Sequence, residues 1–439
     1  MTKKKKKSRI YIIWIVNLCL ITAVVAFFVW YESVPDVSPE KVLKTYMAHI
    51  SNREYEQMYE MIDAGISGNI SQEDFMKRNS AIYEGIGVDN IKIHITSYDK
   101  EQKEICYETS MDTVAGNVTF ENNVSFIQEK GTYKLVWSDS LIFPELDSTD
   151  KVKVSVTNAE RGQILDRNGR VLAGKGVASS VGVVPGKLEN RDDAISQLAD
   201  LLEMKVEDIE RKLSAKWVKE DSFVPLKTIP KVDELKLLSL EPDKETLDEK
   251  ERHEKLLEIP GVKISDIGIR EYPLGEAAAH LVGYVQNVTA EDLEEHDGEG
   301  YTSNSVIGKS GMEGLFEKEL KGQNGCSITI VDSNGNKKKI IVSTIVENGK
   351  DIKLTIDSNL QKELYEQFKD DKSCSVAMNQ YTGEVLALVS TPSYDNNDFI
   401  RGMSSEKWNA LNEDENKPMY NRFRQVWCPG STFKPIIAA

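Results

Sequence analysis

The sequence has no C-x-x-C pair and no regular cysteine spacing: its five cysteines, Cys19, Cys106, Cys326, Cys374 and Cys428, are scattered. That excludes a zinc ribbon or a disulfide framework as the basis of the fold. The five histidines, His49, His94, His253, His280 and His296, are equally dispersed and read as structural or surface residues, so no metal is expected. Positive charge is outnumbered as well, 55 lysines and arginines against 71 acidic residues. The formal net charge is −16, and without the six cations among the first nine residues the remainder carries −22. Nucleic acid is therefore excluded as a partner, because phosphate binding needs a positive surface. Gly308-Lys309-Ser310 ends as a P-loop does, but that loop needs glycine at position 303, where the chain has Ser303. No cofactor is expected.

What is present begins with length. At 439 residues the chain exceeds one ordinary domain and can build two or three cores. Residues 10–30, IYIIWIVNLCLITAVVAFFVW, carry no charge and only Asn17 and Thr22 as clearly polar side chains. As a helix they would run about 30 Å, the thickness of a bilayer core. Tyr11 and Trp14 at one end, with Trp30 and Tyr31 at the other, suit the two interfaces, and the lysine run before them keeps the N-terminus cytoplasmic. No A-x-A-like cleavage site follows. The reading is a cytoplasmic tail over 1–9, a single uncleaved membrane anchor over 10–31, and an extracytoplasmic remainder.

Residues 35–147 pass from helical spacing to strand alternation. PEKVLKTYMAHI and REYEQMYEMI repeat apolar residues every three or four positions, and Ser71-x-x-Asp74 opens a third helix. KIHITSY, EICYETSM, NVTFENNVSFIQ and TYKLVW then alternate as strands. Three helices on an antiparallel sheet make a small α+β domain. The polar stretch ELDSTDK marks the next boundary. Over 152–345, VKVSVT reads as a strand and QILDRNGRVLA as a hairpin whose Asn168-Gly169 supplies positive φ angles. Residues 190–258 read as mostly helical and heavily charged, with short strands after Pro260-Gly261 and a capped helix start at Thr289-x-x-Asp292. A third unit, 350–439, opens with the strand KLTI, a helix capped by Asp357 or Ser358, and two apolar strands around a glycine turn. The fold class is α+β, multidomain.

Ser-x-x-Lys occurs five times, at Ser38, Ser97, Ser148, Ser404 and Ser431, so spacing alone selects nothing. Ser38, Ser148 and Ser404 stand at charged helix starts or linkers, and Ser97 reads as part of a charged turn. Ser431 alone follows Pro-Gly and precedes an apolar helical run. Residues at i and i+3 share a helix face, most closely in a 3₁₀ turn, so Lys434 can sit beside Ser431 and take its proton. Pro435, lacking an N–H, confines the helix start to this region. A base must be neutral, and bringing lysine from about 10.4 to near neutrality requires roughly 4 kcal/mol of burial and neighbouring charge.

At this point the chain resembles a class B penicillin-binding protein. The resemblance rests on ERGQILDRNGRVLA, YPLGEAAAHLVGYV, GKSGMEGLFEKELKGQNG, LTIDSNLQKELYEQF, AMNQYTGEVLALVSTPSYDNNDF and NRFRQVWCPGSTFKP, which run from 160 to 435 in the family's order. Its N-terminal layout is similar to the low-affinity, methicillin-resistance type with an NTF2-like extension over 35–147. The resemblance implies a pedestal or dimerisation domain over 152–345 and the start of a β-lactamase-like serine transpeptidase domain over 350–439. It implies Ser431 as acyl nucleophile and Lys434 as general base. The substrates implied are peptidoglycan stem peptides ending in D-Ala-D-Ala, with β-lactams acylating the same serine and cell-wall assembly proteins as partners. The family's downstream S-x-N and K-T/S-G elements do not follow Ser431 here, and Ser67-Gly68-Asn69 and Lys309-Ser310-Gly311 match only by letters. The expectation is a C-terminally truncated chain, inert by itself. The alternative is a non-catalytic wall-assembly scaffold or β-lactam sensor.

Overall fold

The computed structural model describes residues 38–129, 132–237 and 243–439. The anchor expected over 10–31 lies outside them. Among the described residues no helix is long and apolar enough to cross a membrane. The chain divides into two compact units, Met1–Thr157 with Gly325–Ile345, and Asn158–Asn324 with Val346–Ala439.

In the first unit, helices α1 (Pro39–Ser51), α2 (Tyr55–Glu60) and α3 (Gln72–Gly85) precede strands β1 (Asp89–Asp99), β2 (Glu104–Thr113), β3 (Gly116–Glu129) and β4 (Thr132–Leu135). Leu43, Tyr46, Met47 and Ile50 recur along α1 on one face, and all four are buried. The hydroxyl of Ser71 accepts the Asp74 N–H, closing the start of α3. The four strands form one antiparallel sheet in the order β1-β2-β3-β4. Along β2 the inward set is Ile105, Tyr107, Thr109 and Met111, while Cys106 and Glu108 face outward, the period of two that a half-buried strand requires. Ser97 departs from expectation. It lies in β1 opposite Cys106, because the reversal of direction comes at 100–103 and the strand continues to Asp99.

The unit is completed from far along the chain. Strand β5 (Lys151–Thr157) pairs with Gly325–Val331, which in turn pairs with Lys337–Thr344. Ile328 and Ile330 of this hairpin are fully buried in the same core as Leu43, Phe75 and Trp137. Lys338 bridges Asp147 at 2.5 Å and Asp150 at 2.8 Å, and Arg78 binds Asp139 at 2.7 Å. The Lys338 ammonium holds the Asp150 carboxyl below its ordinary range.

The second unit is built on β7 (Val171–Val183), which pairs with β6 (Ile164–Leu165), β8 (Val224–Pro230) and β9 (Val262–Glu271). The β6–β7 connection differs from the turn expected of Asn168-Gly169. Only Gly169 takes positive φ, +84°. The Asp166 carboxylate accepts the N–H groups of Asn168 (2.7 Å) and Arg170 (2.9 Å), which holds the preceding residues in a right-handed turn and leaves one left-handed position. Burial pushes the Asp166 carboxyl up, but the hydrogen bonds of Ser358, Arg170 and Asn168 outweigh it and bring it to about 2.

Helices α4 (Arg191–Leu202), α5 (Val206–Leu213) and α6 (Lys244–Glu258) bury Ile195, Leu198, Ile209 and Leu256 against Val181, Val183 and Leu226. Residues 190–258 thus include a strand, β8, that local pattern did not reveal, and β9 runs ten residues where short strands were expected. The wholly buried Leu256 and the exposed Leu247 and Leu257 show how narrow the apolar stripe of α6 is. Further along, α7 (Ser358–Phe368) packs on the antiparallel pair β10 (Ser373–Met378) and β11 (Val385–Thr391).

Candidate active site

The platform for residues 418–422 is β11 and the segment 272–284. Gln361, fully buried on α7, donates to the carbonyls of Ala277 and Leu388 at 2.8 Å each and accepts the Leu388 N–H at 2.8 Å. Asn397 accepts the Tyr272 N–H and donates to the Tyr272 carbonyl, both at 3.0 Å, so one amide replaces a missing strand partner. Asn396 donates to the Gly283 carbonyl at 2.7 Å. Gly283 has φ +77°, and a Cβ there would stand 1.9 Å from the Ser310 carbonyl oxygen. The ring of Tyr284 stacks on Phe399 at 3.8 Å.

His280 ties this platform to the next loop. Its Nε2 lies 2.8 Å from the Pro418 carbonyl oxygen, and since a carbonyl can only accept, Nε2 carries the proton. Tyr394 meets the imidazole edge-on at 5.1 Å. Burial, with Arg422 adding to it, outweighs the Pro418 bond and brings the imidazole down to about 4. The sign follows directly. At and above the unfolded value of 6.5 the contribution is complete, and it is lost as pH falls toward 4, because the unfolded chain takes up the proton first. The loss amounts to about 3 kcal/mol at most, at about 1.36 kcal/mol per unit. His280→Gln keeps a donor but cannot titrate, and urea midpoints between pH 7 and 4 are expected to fall less steeply in that variant than in the parent.

The serine-lysine turn comes last. Pro429 at φ −66° and Gly430 at φ +53° bend the chain, Gly430–Phe433 forms a 3₁₀ turn, and Lys434–Ala438 continues as α-helix. The Lys434 N–H donates to the Ser431 carbonyl, so the two residues stand one turn apart. Both are exposed.

The competing matches have plain structural roles. Ser38 and Ser404 are helix N-caps whose hydroxyls accept the N–H of Lys41 and Lys407. A cap with lysine at the third helical position generates the same four letters. The Ser67 hydroxyl accepts the Trp137 N–H, and Lys309 pairs with Asp292 at 2.5 Å. Sequence reasoning left Gln361, Asn396, Asn397 and Arg422 without roles, and took His280 only as structural. The Asn-Asn pair within an otherwise polar loop was the one available signal.

Comparison with known proteins accounts for the order of these parts. Residues 38–150 match the NTF2-like N-terminal transpeptidase domain, 156–354 the penicillin-binding protein dimerisation domain, and 373–439 the penicillin-binding protein transpeptidase domain. The chain belongs to the penicillin-binding proteins. The family expected from the motifs is the family found. Penicillin-binding protein 3 of Bacillus subtilis (strain 168) is 37% identical over 413 residues, 92% of this chain and 59% of that protein. The peptidoglycan D,D-transpeptidase MrdA of Acinetobacter baumannii is 31% identical over 67% of this chain and 42% of its own length. Its counterpart in Escherichia coli (strain K12) is 32% identical over 66% of this chain and 44% of its own length. The chain therefore spans 59% or less of these relatives. A solved penicillin-binding protein, PBP2 of Helicobacter pylori in complex with MreC, is 26% identical over 66% of this chain and 52% of its own, with a TM-score of 0.46. In this penicillin-binding protein the hairpin Gly325–Ile345, part of the dimerisation match, belongs to the unit that holds the NTF2-like core.

Proposed function

We propose that the whole protein is a membrane-anchored, extracytoplasmic serine D,D-transpeptidase that cross-links peptidoglycan stem peptides. Ser431 attacks the penultimate D-Ala carbonyl of a D-Ala-D-Ala end, the terminal D-Ala leaves, and an amine from a neighbouring strand takes the acyl group. Lys434 accepts the Ser431 proton and returns it to the leaving amine. β-Lactams acylate the same hydroxyl. The reading is carried by the Pro429-Gly430 bend and the 3₁₀ turn that set Ser431 and Lys434 one turn apart within the stretch matching the transpeptidase family. The relatives named as D,D-transpeptidases support the reaction. The apolar run 10–31 supports the anchor, and the domain limits 35–147, 152–345 and 350–439 follow the breaks in pattern along the sequence.

The family's S-x-N and K-T/S-G elements are not among residues 432–439, so the test belongs to the full-length protein. Incubation with penicillin is expected to give a penicilloyl adduct on the peptide containing Ser431, read by mass spectrometry and absent in Ser431→Ala. An adduct elsewhere, or none, rejects the reading. A protein that acylates but fails to join donor and acceptor peptides is instead a sensor.

A further inference from the structure

Arg422 is buried, 6% exposed, yet among the described residues its guanidinium has no carboxylate partner. It donates to backbone carbonyls instead: Asn416 at 2.5 Å, Tyr420 at 3.1 Å and Lys417 at 3.3 Å. Taking a guanidinium out of water without a counter-ion is costly, and what the planar fork gives in return is fixed geometry. The geometry fixed here is a strained one. Lys417 takes φ +51°, a conformation that a residue with a Cβ adopts only at a cost, and its carbonyl is one of the three.

The main chain of Arg422 reaches in two further directions. Its N–H donates to the Ser390 hydroxyl on β11 at 3.0 Å, and that hydroxyl donates to the Tyr420 carbonyl at 3.3 Å. Its carbonyl accepts the indole N–H of Trp427 at 2.9 Å. The same carbonyl accepts the Gln425 N–H at 3.2 Å, so it holds the chain leading to Ser431 at two points, one of them the half-exposed Trp427. One residue thus joins the strand, the strained turn before it and the indole four positions before Ser431.

We infer that Arg422 is a positioning residue for the serine-lysine turn, acting through its carbonyl on Trp427 and through its guanidinium on the 416–420 turn. The inference rests on the acyl-enzyme reading of Ser431. A displacement of about 1 Å at a nucleophile can slow its reaction about 100-fold, so a loose tether registers in the rate of acylation before it registers in binding.

The test uses the full-length protein and the rate of acylation by a fluorescent penicillin. Arg422→Ala is expected to acylate about 10- to 100-fold more slowly, and guanidinium ion added well below denaturing concentration is expected to restore part of the rate by filling the vacated fork site. Arg422→Lys, a point charge without the fork, is expected to stay slow. Trp427→Phe removes only the indole donor from a half-exposed side chain. It is expected to slow acylation about fivefold, the worth of about one hydrogen bond, with an unchanged melting temperature. Combining it with Arg422→Ala is expected to add little, since the guanidinium holds in place the main chain whose carbonyl the indole binds, and both variants loosen that one path. If Arg422→Ala does not fold, Trp427→Phe decides. Acylation by Trp427→Phe as fast as by the parent, or no response of a folded Arg422→Ala to guanidinium, overturns the inference while leaving Ser431 as nucleophile. A parent protein that takes no adduct overturns both.

Discussion

Glu313→Ala is expected to destabilise the larger unit by about 3–5 kcal/mol, the usual cost of leaving a buried charge unpaired. The Glu313 side chain is 0% exposed and accepts from two arginines, Arg161 through Nε at 2.9 Å and Nη2 at 2.7 Å, and Arg270 through Nε at 2.7 Å. Arg161 retains Glu317 at 2.5 Å when Glu313 is lost. Arg270, 5% exposed, is left only with the Gly162 carbonyl at 2.8 Å, so its charge is the stranded one. A second substitution, Arg270→Met, is therefore expected to recover part of the loss, because removing both ends of a buried pair is cheaper than removing one. Calorimetry of residues 38–439 is the measurement. A Glu313→Ala protein melting where the parent melts would show that the network contributes nothing.

The second large effect concerns the NTF2-like segment. A polypeptide of residues 38–150, the limits of the family match, is expected not to fold stably. Its core is finished by Ile328 and Ile330, both fully buried, with Val152, Val154, Ile341 and Val342 packed beside them. Each fully buried aliphatic side chain contributes about 1.5–3 kcal/mol, and a domain's whole stability is about 5–15 kcal/mol. Losing the hairpin also strands Asp147 and Asp150 without Lys338. Joining 38–157 to 325–345 through a flexible linker is expected to restore a cooperative thermal transition followed by circular dichroism. If 38–150 alone melts cooperatively with the same midpoint, the hairpin is dispensable and the unit ends where the sequence match does.

The legible parts of the fold were those whose signals are local. The buried face of α1, the caps at Ser71 and Thr289 and the alternation along β2 each depend on spacing within a dozen residues, and each stands as the pattern predicted. Strand β8 was illegible because VPLKTIP carries two prolines and a lysine, and becomes a strand only through pairing with β7. The second left-handed residue expected at Asn168 is absent because Asp166 folds back on the turn, which spacing does not disclose. At the candidate site the one-turn separation of Ser431 and Lys434 was legible from the Pro-Gly before it and the apolar run after it, since five matches share the spacing. Their supports were not, because Gln361, Asn397 and His280 act on carbonyls and amides 27 to 138 positions away.

The sequence by itself determined the family, the order of the domains and the one-turn separation of Ser431 and Lys434, since these are written in contiguous motifs and in periodicity that short-range sterics enforce. Only the tertiary structure decided which charges share a buried site at Glu313 and which unit owns the hairpin at 325–345. It also decided what holds the turn before Ser431. The Arg161–Glu313 pair and the hairpin depend on contacts between segments more than a hundred residues apart, and the turn on a buried guanidinium that binds main-chain carbonyls, partners that burial and desolvation select and no local pattern encodes.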